Sequence, residues 1–170
     1  MEPYAIFQFC PRCKAALDQK NSPNPRKITC TNCHLEYYLG PSAANAIVIK
    51  NAQGEILLVK RKDDPAKGLW DLPGGFVEFD ETLEESIQRE IKEELGLTLT
   101  NIKYLTSAAD YYLFKAVRYH TIGAIYTATT TETNIPAHDD ITATQFFAPT
   151  AIPWEQIAFP SITAILKLVI

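Results

Sequence analysis

Apolar positions along the chain fall into two rhythms. From Ala43 to Lys50 and from Glu55 to Arg61 they crowd into short runs rich in Ile, Leu and Val, separated by the turn Asn51-Ala-Gln-Gly54, which predicts two joined strands. Between Thr82 and Leu95 the rhythm changes. Leu83, Ile87, Ile91 and Leu95 recur every four residues, acids occupy the first turn and Gly96 follows, so a helix is expected over 82–95. Lys62–Gly68 reads as a charged loop and Leu69–Gly75 as a short extended piece ending in a glycine turn. Further strands are expected at 102–106, 119–130 and 142–147, and a closing helix at 161–168. No internal repeat or low-complexity tract interrupts this order.

Ahead of Gly40-Pro41 the pattern is set by cysteines. Cys10-Pro-Arg-Cys13 and Cys30-Thr-Asn-Cys33, with sixteen residues between them, have the spacing of two knuckles that each offer two sulfurs to one tetrahedral metal. Zinc suits four thiolates, and iron held in the same way is the alternative metal. Two disulfides remain an alternative, and a redox pair fits less well because neither motif opens a helix after a core strand. His34 is read as a neighbour of the site. The segment Asn21–Pro25 is a proline-rich turn, and Lys27–Cys30 with Leu35–Tyr38 forms a short hairpin.

Composition changes this picture little. With 170 residues, 46% of them hydrophobic and 21% charged, the chain suits one full domain plus a small appendage, and disorder is not expected. No apolar run reaches the roughly 20 residues that span a bilayer, and the first residues lack a secretory pattern, so a cytoplasmic location without membrane contact is expected.

Charge changes it more. Of the net −4, the stretch Glu78–Glu94 holds eight acids and two bases, so the imbalance is local. Such a cluster repels phosphates unless a divalent cation intervenes. At roughly 100° per residue, Glu94 falls inside the apolar stripe of the helix, Glu90 and Glu93 border it, and Gln88, Glu85, Lys92 and Arg89 lie on the solvent side. Three carboxylates at i, i+3 and i+4 on a core edge suit oxygen ligation of Mg²⁺ or Mn²⁺, whereas a solvated acidic face is the plainer reading.

The residues around the helix decide between these. Gly75-Phe-Val-Glu-Phe-Asp-Glu81-Thr-Leu-Glu-Glu-Ser-Ile-Gln-Arg89-Glu90-Ile-Lys-Glu93-Glu94-Leu-Gly96-Leu97 matches every fixed position of the Nudix box, and Gly68–Gly75 resembles its usual entry. The chain is therefore similar to the Nudix hydrolases over residues 41–170. The resemblance implies an α+β Nudix fold, a mixed sheet sandwiched between helices, preceded by a zinc ribbon at 1–40. It implies hydrolysis of a nucleoside diphosphate linked to another moiety. By position, Gly75 (through its carbonyl), Glu90, Glu93 and Glu94 would hold Mg²⁺ or Mn²⁺. Glu90 is a further ligand or the base, Glu81 supports it, and Arg89 orients the glutamates through an ion pair with Glu81. Glu78 touches metal or substrate, or makes only a loop hydrogen bond. Asp139, in preference to Asp140, is the candidate late acidic residue.

A ribbon before such a domain also resembles the NADH pyrophosphatases. Their Ser-Gln-Pro-Trp-Pro-Phe-Pro signature is here Ser107-Ala-Ala-Asp110-Tyr111-Tyr112-Leu-Phe114, which retains only the serine. Nucleotides, dinucleotides, ADP-ribose and nucleotide sugars all remain candidate substrates. Tyr111, Tyr112 and Phe114 either stack on a base or pack a strand. Arg61 and Lys67 either meet phosphate or are solvated. The competing reading is a catalytically silent nucleotide-sensing or partner-binding protein. The intact glutamate set argues against it, and five bases to three acids before Gly40 are too few for a nucleic-acid surface. A homodimer is compatible with either reading, and zinc is expected to be structural, because four cysteines leave no open coordination position.

Overall fold

The computed structural model describes residues 1–18, 24 and 26–170, apart from the side chains of residues 3 and 4. The proline-rich turn expected at 21–25 thus lies, except for Asn24, outside the described residues. The chain divides into two compact units, Met1–Ser42 with Tyr111–His120, and Ala43–Asp110 with Thr121–Ile170.

The first unit is built on two matched knuckles. Cys10 N–H donates to Ala15 O (2.8 Å) and Cys30 N–H to Leu35 O (2.9 Å). Lys14 and His34 return to the carbonyls of Cys10 and Cys30. Both return residues have positive φ, 63° and 57°, the left-handed step that closes each loop. Strand β1 (Lys27–Thr29) pairs antiparallel with β2 (Glu36–Tyr38), and Ile28 at its centre is fully buried. Residues 111–120 in this unit are the tip of a hairpin whose two-residue turn, Lys115-Ala116, has φ of 46° and 64°. The terminal amine of Met1 donates to Ala116 O at 2.7 Å, and Glu2 pairs with Arg118 and His120.

The second unit holds β3 (Ser42–Lys50), β4 (Ile56–Arg61), β5 (Trp70–Asp71), α1 (Leu83–Leu95), β6 (Lys103–Phe114), β7 (Val117–Thr129), β8 (Ile141–Phe147) and α2 (Pro160–Val169), less the residues already assigned to the first. The strand order is β5-β4-β3-β7-β6, with β8 antiparallel to β4 along its length. Alternation sorts the central strands between two cores. Ile47, Ile49, Leu57 and Val59 pack with Ile87, Ile91 and Leu95 of α1, whereas Val48, Ile56 and Leu58 pack with Ile162, Ile165 and Leu166 of α2. This is the expected sandwich of a mixed sheet between helices.

Helix α1 begins one residue later than expected because Thr82 caps it. The Thr82 side chain accepts from Glu85 N–H, the Glu85 carboxylate accepts from Thr82 N–H, and Gly96 ends the helix with φ 65°. The strand expected at 102–106 runs on to Phe114. Ser107–Phe114 has the alternating burial of an edge strand, though its apolar periodicity is weak.

Candidate metal and hydrolytic site

The turn after β5 is pressed against β3. Asn45 N–H donates to Gly75 O (2.9 Å) and Ile47 N–H to Pro73 O (3.0 Å). A Cβ on Gly74, whose φ is 138°, would come within 2.8 Å of Ala46 Cα. One on Gly75 would overlap the Glu90 carboxylate. The backbone of β3 therefore requires glycine at 74, whereas a methyl at 75 would displace the Glu90 carboxylate.

Glu94 is 4% exposed, and its Oε2 accepts from Gly74 N–H at 3.0 Å. Burial pushes its pKa up to about 9; the Gly74 N–H works against this, and Asp140, Glu90 and Asp71 add to it. Glu90 is also held above the usual carboxylate range, first by burial, with Arg89 opposing and Glu93 and Asp140 adding to the rise. Among the described residues, then, two carboxylates sit at a core edge with further carboxylates for neighbours. An oxygen-only set of this kind, beside the glycine turn, fits a hard divalent cation, which would offset the cost of their burial.

Arg89 corrects the expectation that it lies on the far, solvent side of the helix. Its Nε and Nη2 bind both oxygens of Glu81 (3.1 and 2.7 Å), and Nη1 reaches Glu90 Oε1 (2.9 Å) and Glu93 Oε2 (3.0 Å). Nη2 also donates to Phe76 O and Ser86 Oγ. The physical reason is reach: a position one step round the helix from Glu93 and Ser86 lets a long side chain fold back over them. Arg89 holds Glu81 down at about 2, helped by the Glu78 N–H that donates to Glu81 Oε1 at 2.6 Å. Glu78 thus contributes its backbone to this cluster.

The late acids separate. His138 N–H donates to Glu94 O, and Lys62 N–H to Asp140 O, tying the 138–140 turn to the end of α1 and to the loop after β4. Asp140 is the acid felt by both Glu90 and Glu94. Asp139 occupies the left-handed position of the turn, φ 52°, and gives its carbonyl to Lys62 Nζ. Asp139 is the neighbour the sequence favours, whereas the charge that raises Glu90 and Glu94 is that of Asp140.

The family model described as NUDIX domain matches residues 40–165. The chain belongs to the Nudix family. An ADP-ribose pyrophosphatase of Methanocaldococcus jannaschii is 39% identical over 119 residues, covering 68% of this chain and 67% of that protein. An NAD-capped RNA hydrolase NudC from Enterobacter is 31% identical over 106 residues, covering 62% of this chain but 40% of the relative. Among solved structures, a NUDIX hydrolase from Nitrosomonas europaea covers 94% of this chain and is covered for 88% of its own length, at TM-score 0.69 and 26% identity. A MutT NUDIX hydrolase from Burkholderia pseudomallei is covered for 99% of its length and covers 77% of this chain, at 0.68 and 28%. Nudix hydrolases use divalent metals, in keeping with the oxygen set just described.

The remaining expected residues of this Nudix chain fall elsewhere. Arg61 Nη1 pairs with Asp71 Oδ2 at 3.0 Å, its Nε donates to Pro65 O, and its guanidinium lies over Phe159. Burial keeps Asp71 above its ordinary value although Arg61 favours the charged form. Tyr111 and Tyr112 belong to the first unit, where Arg118 lies over Tyr111 and Tyr112 stacks on Tyr119 at 5.4 Å. No helix among the described residues is long and apolar enough to cross a membrane.

In the first unit the four cysteine sulfurs lie within 4.8 Å of one another, with Cys10 to Cys33 and Cys13 to Cys30 both 3.6 Å. Bonded sulfurs sit at about 2.0 Å, and sulfurs about 2.3 Å from a tetrahedral metal sit just under 4 Å apart, so the cluster has the dimensions of a thiolate cage. Asn32 Nδ2 donates to Cys13 Sγ at 3.4 Å and, with the Ala15 N–H, holds that thiol below its ordinary value. His34 is exposed and stands outside the cluster.

Proposed function

We propose that the chain hydrolyses the pyrophosphate of a nucleoside diphosphate linked to another moiety, using Mg²⁺ or Mn²⁺. The observation that carries this reading is the buried Glu94, bound to Gly74 N–H and ringed by Glu90, Asp140 and Asp71. The names of two relatives, one an ADP-ribose pyrophosphatase and one an NAD-capped RNA hydrolase, support the substrate class.

In this reading Gly75 O, Glu90, Glu93 and Glu94 hold the cation. Bound there, a cation would screen the substrate phosphates and stabilise negative charge developing on the phosphoryl and leaving oxygens. Arg89 fixes Glu81, Glu90 and Glu93 in one arrangement, which reduces the cost of bringing three carboxylates together. A water adds to one phosphorus, the bond to the bridging oxygen breaks, and the water's proton passes to a nearby carboxylate. Glu90 is that base where it does not itself bind the cation, and Asp140 assists from the facing turn. Glu78 and Asp139 shape the rim. Arg61 and Tyr111 remain substrate contacts only if ligand binding releases them from their present partners.

The four cysteines hold Zn²⁺, which supports folding or dimerisation of the first unit and leaves no open position for chemistry. We read 1–40 as a ribbon domain and 41–170 as the catalytic domain of a cytoplasmic protein acting on small nucleotides. The test is a panel of ADP-ribose, dinucleotides, nucleotide sugars and nucleoside triphosphates with each cation, products being separated chromatographically. Turnover confined to nucleoside diphosphate derivatives and abolished by Glu93→Gln is the expected result.

A further inference from the structure

The face of β3 turned toward α1 ends in a polar residue that packing does not explain. Asn45 is 4% exposed, and neither Oδ1 nor Nδ2 has a hydrogen-bond partner among the described residues. Leaving a buried amide unpaired is destabilising, because its lost hydrogen bonds to water are not replaced. An apolar side chain at this position would carry no such cost.

Two lines of geometry locate the amide. The bridge between Ala44 and Phe76, with the Asn45–Gly75 and Ile47–Pro73 hydrogen bonds, is one antiparallel register that sets residue 45 opposite residue 75. Opposite residues project from the same face. At position 75 that face meets Glu90, whose Oε2 would lie 2.7 Å from an added Cβ. Independently, the period of two along β3 puts Asn45 on the side of Ile47 and Ile49, which pack on Ile87 and Ile91 of α1. Both lines bring the amide beneath α1 beside Glu90.

Glu90 Oε1 is at present bound to Arg89 Nη1. A carboxylate that turned from Arg89 toward a cation would give up that charge-assisted bond and need a replacement donor. We propose that Asn45 is a positioning residue for Glu90, its Nδ2 donating to the carboxylate when Glu90 turns toward a bound divalent cation. The proposal rests on the cation reading given above. It accounts for an amide that is unsatisfied now and has two protons to give.

The test uses the full chain with Asn45→Leu and Asn45→Ala, and Mn²⁺ as the probe. Mn²⁺ binding, followed by electron paramagnetic resonance, is expected to weaken about tenfold in both variants. The metal-free Asn45→Leu protein is expected to melt at or above the wild-type temperature, which a purely structural amide would not allow. Mn²⁺ affinity within twofold of wild type in Asn45→Ala would overturn the proposal, as would failure of both variants to fold. Wild-type protein that binds no Mn²⁺ would overturn the cation reading itself, and the wild-type control distinguishes that outcome.

Discussion

The backbone N–H of Gly74 donates to Glu94 Oε2 at 3.0 Å, joining the glycine turn after β5 to the most deeply buried acid of α1. One such bond does not offset burial, and the carboxyl stays protonated to about pH 9. The folded state then holds a proton that the unfolded state, titrating near its ordinary 4.5, has lost. Stability of the metal-free protein is therefore expected to fall as pH rises between those values. Glu94→Gln should flatten that dependence and raise the metal-free melting temperature at pH 8, while lowering cation-dependent turnover by at least about a thousandfold. Melting curves across pH, with and without Mg²⁺, check both parts. An unchanged pH dependence in Glu94→Gln would remove Glu94 as its source.

Arg89 binds Glu81 through two nitrogens and spans Glu90 and Glu93 with a third. A lysine has the charge but not the planar fork. Arg89→Lys is expected to lower kcat about ten- to a hundredfold with a small change in melting temperature. Full activity in that variant would mean that the glutamates need no common clamp. Glu81 is depressed to about 2, so this cluster's contribution to stability is present above pH 4.5 and is lost as pH falls toward 2.

These residues also mark how much was legible in the sequence. Helical periodicity placed Glu94 in the apolar stripe of α1, and the structure buries it there. Cysteine spacing likewise anticipated four sulfurs in one cluster. Arg89 was misjudged because a wheel locates Cα atoms, whereas a guanidinium on a long stem can reach the next face. Asp140 and Asn45 could not be singled out. The contacts of Asp140 depend on the turn at 138–140, and those of Asn45 on a β3 register visible only in three dimensions.

Arg61 separates a structural from a substrate role. Its removal leaves Asp71 buried without its ion-pair partner. Arg61→Ala is expected to cost about 3 kcal/mol in denaturant unfolding, with KM for the best substrate changed less than threefold in the folded fraction. A large rise in KM without loss of stability would instead make Arg61 a phosphate contact.

The two glycines should fail differently. Gly75→Ala drives a methyl into Glu90 and is expected to cut turnover by more than tenfold in a protein that still folds. Gly74→Ala meets the backbone of β3 from a left-handed conformation and is expected to cost about 2 kcal/mol or more. Calorimetry and steady-state rates on both variants distinguish site distortion from fold distortion.

Zinc is expected at one ion per chain, measured by elemental analysis. Its removal by a chelator should loosen the cysteine unit while leaving turnover per folded molecule largely intact, since four thiolates leave no open coordination position. Complete loss of turnover with the fold preserved would assign zinc a part in the reaction.

The most direct test of the central claim is chromatographic analysis of ADP-ribose and other nucleoside diphosphate derivatives incubated with the wild-type chain and Mg²⁺ or Mn²⁺. The account predicts cation-dependent cleavage of the pyrophosphate into two monophosphates on at least one of them, abolished by Glu93→Gln. No cleavage of any derivative with either cation, by protein that is folded and zinc-loaded, would contradict it.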